Sequence, residues 1–87
     1  MDKLWHDEAW DDYTYWQTQD KRVLKKINEL LKSIERNGYE CMGKPEPLSG
    51  NLATFWSVHI DKKNRIVFRI RNGVLEIAQC GSHYRDK

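Results

Sequence analysis

The sequence predicts an α+β fold, with two N-terminal helices packed on a twisted antiparallel sheet. Three observations lead there. Val23, Leu24, Ile27, Leu30, Leu31 and Ile34 recur at helical spacing, the pattern of an amphipathic helix. Between residues 55 and 80, apolar and polar side chains alternate in three runs separated by turn signals, the pattern of a β-meander. One face of that meander is almost purely apolar, and an apolar sheet face must be covered, here by the two helices.

Taken in order, Lys3-Leu4-Trp5-His6 reads as a short edge strand. Asp7 opens an acidic segment in which Ala9, Trp10, Tyr13 and Trp16 fall near one helical face, with acids in the first turn suiting the helix dipole. Those aromatics are expected in the core, and His6 on the surface. Asp20 is placed to cap the second helix, whose outer face carries Lys21, Arg22, Lys25, Lys26, Glu29, Lys32 and Arg36. Asn37-Gly38 ends it, with Gly38 suited to a left-handed cap. Residues 39–54 read as a loop. Trp56, Val58 and Ile60 then oppose Phe55, Ser57 and His59. After the Asp61-Lys62-Lys63-Asn64 turn, Ile66, Phe68 and Ile70 oppose Arg65, Val67 and Arg69. Asn72-Gly73 is a hairpin signal. In the last run Leu75 and Ile77 oppose Glu76, Ala78 and Cys80.

With 87 residues the chain has room for one domain. The formal charge of +2 is uneven: residues 1–40 hold seven Lys/Arg against nine Asp/Glu, and residues 41–87 hold eight against four. The basic half suits an anionic partner such as a phosphate backbone. Cys41 and Cys80 form no ligand pattern, so neither a zinc site nor a disulfide scaffold is expected. No export signal or membrane span is recognisable, and a soluble cytoplasmic protein with reduced thiols is expected.

The loop holds the most informative stretch. In Gly43-Lys44-Pro45-Glu46-Pro47-Leu48 a lone carboxylate sits between two prolines. Each proline fixes its own φ and pushes the residue before it towards extended geometry. Glu46 is thereby held on a stiff backbone, as a general base requires, because geometry comes before pKa in that role. The polar sheet face presents Ser57, His59, Arg65, Arg69 and Glu76, while His83-Tyr84 follow at the tail. A carboxylate, a guanidinium, an imidazole and a phenol are thus candidates for one patch.

Several segments together resemble the YoeB branch of the RelE-type toxins, the messenger-RNA endoribonucleases of bacterial toxin–antitoxin pairs. They are Trp10-Asp11-Asp12-Tyr13, Tyr15-Trp16-Gln17, Asp20-Lys21-Arg22, Lys25-Lys26-Ile27-Asn28-Glu29-Leu30, the Pro45-Glu46-Pro47 stretch, Asn51-Leu52, Phe55-Trp56-Ser57, Arg65-Ile66-Val67 and His83-Tyr84. The resemblance implies two helices on an antiparallel sheet, cleavage of mRNA in the ribosomal A site, and a cognate YefM-like antitoxin that silences the toxin. A homodimer is compatible with it, and no cofactor, metal or membrane is called for. Carried over by position, the catalytic set is Glu46 (base), His83 (acid), Arg65 (phosphate clamp) and Tyr84 (orienting or stacking on a nucleotide). Lys44, His59 and Arg69 are RNA-contact candidates, and Ser57 is assigned no chemistry. The family usually has arginine where this chain has His59 and often lysine where it has Ser49. Both departures remove permanent charge from the RNA-facing side. Two other classes stay open: a same-fold toxin acting on a protein target, for which defined message on ribosomes would stay uncut, and a non-cleaving ribosome occupant that blocks initiation, for which inhibition would persist without cut ends.

Overall fold

The computed structural model describes residues 1–81. Its elements are β1 (Asp2–Trp5), α1 (Asp7–Gln19), α2 (Lys21–Asn37), β2 (Glu46–Pro47), β3 (Trp56–His59), β4 (Arg65–Arg71) and β5 (Val74–Cys80). The sheet order is β1-β5-β4-β3-β2. Both helices pack on one face, as expected, over a core that includes Ile27, Leu30, Ile34, Val58, Ile66, Phe68, Leu75 and Ile77.

The second helix follows its sequence closely. Asp20 Oδ1 accepts from the backbone N–H groups of Arg22 and Val23 at 3.0 and 3.3 Å. Ile27, Leu30, Leu31 and Ile34 are buried. Gly38 follows at φ 61° and ψ −133°. The positive φ matches the expected cap, but ψ lies outside the left-handed well, in a region open essentially to glycine. At the meander hairpin, Asn72 and Gly73 both have positive φ, the geometry that favours this dipeptide.

Beyond the short strand β2 inside the segment expected to be a loop, three features differ from expectation. The sheet is mixed, because β1 runs parallel to β5. Both helices and three strands lie between them in sequence, so there is ample chain for the crossover that a parallel pair requires. In α1, Trp10 is exposed and Asp12 is fully buried. Trp10 instead joins a surface aromatic cluster with Trp5 and Tyr13. Asp12 Oδ2 accepts from the Cys80 N–H at 3.2 Å while Trp16 Nε1 donates to the Cys80 carbonyl at 3.0 Å. One turn of α1 thus grips both peptide groups at the end of β5.

The third difference is a β-bulge. Val67 pairs with Gln79 but Phe68 pairs with Ile77, leaving Ala78 unmatched. One inserted residue reverses the facing of everything after it. Cys80 therefore joins Ile66, Leu75 and Ile77 in the core instead of opposing Leu75 and Ile77. Gln79 comes to the same face as Val67.

Candidate active site

The face turned away from the helices is built by strand register. Glu46 on β2 stands opposite Ser57 on β3, and His59 on β3 stands opposite Arg65 on β4. Directly opposed residues share a face, so these four form one patch. His59 Nε2 lies 3.9 Å from Glu46 Oε1, an ion-pair distance when the imidazole is protonated and too long for a hydrogen bond. The Glu46 side chain is 55% exposed and that of His59 35%. Arg65 is exposed, and its guanidinium has no hydrogen bond or ion pair among the described residues.

The backbone beneath Glu46 is pinned by more than its prolines. Gly43 O accepts from His59 N at 2.8 Å, and Leu48 N donates to Phe55 O at 2.9 Å. Gly43 has φ 93° and Lys44 φ 56°. Lys44 thus escapes the extended geometry expected before Pro45. The reason is the corner itself: a Cβ on Gly43 would lie 2.8 Å from Leu30 Cδ2 and 3.0 Å from Val58 Cβ, so the chain turns hard against α2 and β3. Lys44 completes the turn in a conformation that costs a non-glycine residue roughly 1–2 kcal/mol. It remains exposed and, with Lys26, His59 and Lys62, lines a groove of about 350 Å³ beside the patch.

Arg69 is placed differently. It lies four residues along β4 from Arg65, about 13 Å by strand rise. Its Nε and Nη2 donate to Glu76 at 2.7 and 3.3 Å, its Nη1 donates to Thr54 Oγ1 at 2.6 Å, and Cζ stacks 4.3 Å above the Phe55 ring. His6 Nε2 also meets Glu76, at 2.7 Å. The Arg69 hydrogen bond, then that from His6, holds the Glu76 carboxyl below its ordinary range, against the opposing effect of burial. The structure therefore brings Glu46, His59 and Arg65 together with Lys44 alongside, and commits Arg69 to a network of its own.

His83 and Tyr84 lie outside the described residues. The chain arrives at Gly81 with its N–H donating to the Arg65 carbonyl at 2.8 Å, which places the root of the tail beside Arg65. Sequence reading missed this bond, the bulge that turns Gln79 onto the site face, and the burial of Ser57. The bulge has no signal in the Ala78-Gln79 dipeptide. Among the described residues no cluster of His, Cys, Asp or Glu is arranged to hold a metal ion.

Comparison with known proteins adds an independent line. Residues 5–84 match the family described as YoeB-like toxin of bacterial type II toxin-antitoxin system. The toxin YoeB of Escherichia coli K12 is 50% identical over 84 residues, covering 97% of this chain and all of that protein. Two Staphylococcus aureus structures superpose closely. One is a YoeB–YefM complex, with TM-score 0.90 and 42% identity. The other is a YoeB dimer, with TM-score 0.88 and 44% identity. Each covers 97% of this chain and 98% of its own.

Proposed function

The chain belongs to the YoeB-like toxins of bacterial type II toxin–antitoxin systems, and from that premise we propose that it is a ribosome-dependent endoribonuclease cutting mRNA in the A site. The observation that carries the reading is a stiffly held carboxylate on the same sheet face as a guanidinium uncommitted among the described residues. RNA brings its own nucleophile, the 2′-OH. Glu46 removes its proton, Arg65 meets two oxygens of the crowded phosphorane at once, and His83 protonates the departing 5′-oxygen. The product is a 2′,3′-cyclic phosphate or the 3′-phosphate derived from it. Gly81, two residues before His83 in sequence, is bonded to the Arg65 backbone. Tyr84 stacks on or orients a nucleotide, a common use of aromatics on single-stranded RNA. Lys44 and His59 hold flanking phosphate. Arg69 contributes by shaping the face.

The same premise supplies partners. A YefM-like antitoxin covers the toxin in the cytoplasm, as the S. aureus complex pairs YoeB with YefM, and self-association is supported by the S. aureus YoeB dimer. Single-turnover cleavage on programmed ribosomes tests the mechanism. Glu46→Ala and His83→Ala should each slow cutting by at least ~100-fold, the scale of acid–base catalysis. Unchanged cutting in either variant removes that residue from the reaction. Inhibition of translation by Glu46→Gln without cut ends would favour ribosome occupancy over cleavage as the toxic act.

A further inference from the structure

Ser57 is 1% exposed, and its hydroxyl is a buried side-chain polar atom with no hydrogen-bond partner among the described residues. Buried hydroxyls are nearly always bonded, and one left without a partner calls for an explanation. Its position supplies one. Ser57 stands directly across from Glu46 in the β2–β3 register, with their Cβ atoms roughly 4.5–5.5 Å apart by the geometry of such pairs. Glu46 makes no hydrogen bond either among the described residues, only the 3.9 Å approach to His59. A donor and an acceptor thus face each other across one strand pair, both unused by any described residue.

We infer that Ser57 is a positioning residue: its hydroxyl receives the Glu46 carboxylate when the side chain turns inward from its exposed position, and holds one oxygen so that the other points at the ribose 2′-OH. This rests on Glu46 being the base. The charged and titratable groups facing that carboxylate are His59 on β3, Arg65 on β4 and Lys44 in the preceding corner. Each of these can draw it outward or sideways, whereas Ser57 draws it towards the sheet. A fixed second contact converts a mobile glutamate into an oriented base, which is where positioning contributes to rate.

The test uses the whole protein with four versions: wild type, Glu46→Gln, Ser57→Ala and Ser57→Thr. Cleavage is followed in single turnover on programmed ribosomes, with half-saturation and thermal melting measured alongside. Ser57→Ala should cut about 10-fold more slowly at saturation, the lower end for losing a hydrogen bond to a charged group. Its half-saturating ribosome concentration should stay within about 2-fold. Its melting temperature should be unchanged or higher, because an unsatisfied buried hydroxyl has been removed. Ser57→Thr keeps the hydroxyl and should cut faster than Ser57→Ala despite the added methyl. A purely steric role gives the reverse order, alanine at least as fast as threonine, and that result overturns the proposal. A fast Ser57→Ala beside a slow Glu46→Gln rejects Ser57 alone. A fast Glu46→Gln removes the base and this inference with it.

Discussion

Replacing Gly43 with alanine should unsettle both the fold and the site. Two costs apply. At φ 93° an L-residue carries strain of roughly 1–2 kcal/mol. The new Cβ also stands 2.8 Å from Leu30 Cδ2 and 3.0 Å from Val58 Cβ. Leu30 and Val58 are both fully buried, and Val58 Cβ is fixed to the backbone of β3, so neither yields freely. Overpacking of this kind costs about 1–3 kcal/mol, giving about 2–5 kcal/mol in all. For a domain of this size each kcal/mol moves the melting point by about 4–8 °C, so a loss of at least ~8 °C is expected. Gly73→Ala is the matched control, since φ there is 76° but nothing lies within 4 Å of an added Cβ. It should show only the strain. Calorimetric melts of both variants separate the two costs, and equal losses would refute the steric argument. Because Gly43 O holds His59 N three residues before Glu46, the surviving folded fraction of Gly43→Ala should also cut more slowly than the control.

The remaining predictions concern the anchors of the sheet. Trp16→Phe strips the Cys80 carbonyl of its indole donor and should destabilise by about 1–3 kcal/mol, the cost of a buried acceptor left unmet; a denaturant midpoint equal to wild type would contradict this. Glu76 has a depressed pKa in the folded state, so its contribution is present at neutral pH and is lost as pH falls through that lowered value. Wild type should accordingly exceed Glu76→Gln in stability at pH 7, with the gap closing below about pH 4, whereas a gap constant between pH 7 and pH 3 would speak against the ion-pair account. Burial pushes both thiols up, with the Asp12 charge a second cause for Cys80. Iodoacetamide at pH 8 should therefore leave Cys41 and Cys80 unmodified in the native protein and alkylate both in denaturant; rapid native labelling by mass spectrometry would count against their placement.

Local periodicity made much of the architecture legible. The apolar stripe of α2, the Asp20 cap, the Asn72-Gly73 hairpin and the alternation of β3 and β4 all depend on neighbours within a few residues, and such signals are written directly in the chain. The Asp12 burial and the facing of Cys80 were not legible, because each answers to a contact about seventy residues away or to one inserted residue in a ladder. The same division runs through the site. Glu46 stands out by its two prolines, yet nothing local distinguishes Arg65 from Arg69. They share a strand and a facing, but the distant Glu76, Thr54 and Phe55 occupy Arg69, whereas Arg65 has no such partner among the described residues.

From the chain alone came the α+β class and the helix stripe, since side-chain type and spacing are local properties, and family resemblance named the residues proposed to cut a phosphodiester. Tertiary structure decided which of those residues share a face, which arginine is without a partner among the described residues, and where the tail departs. Those outcomes depend on strand register and on hydrogen bonds closed between remote segments, whose free energy exists only once the sheet has assembled.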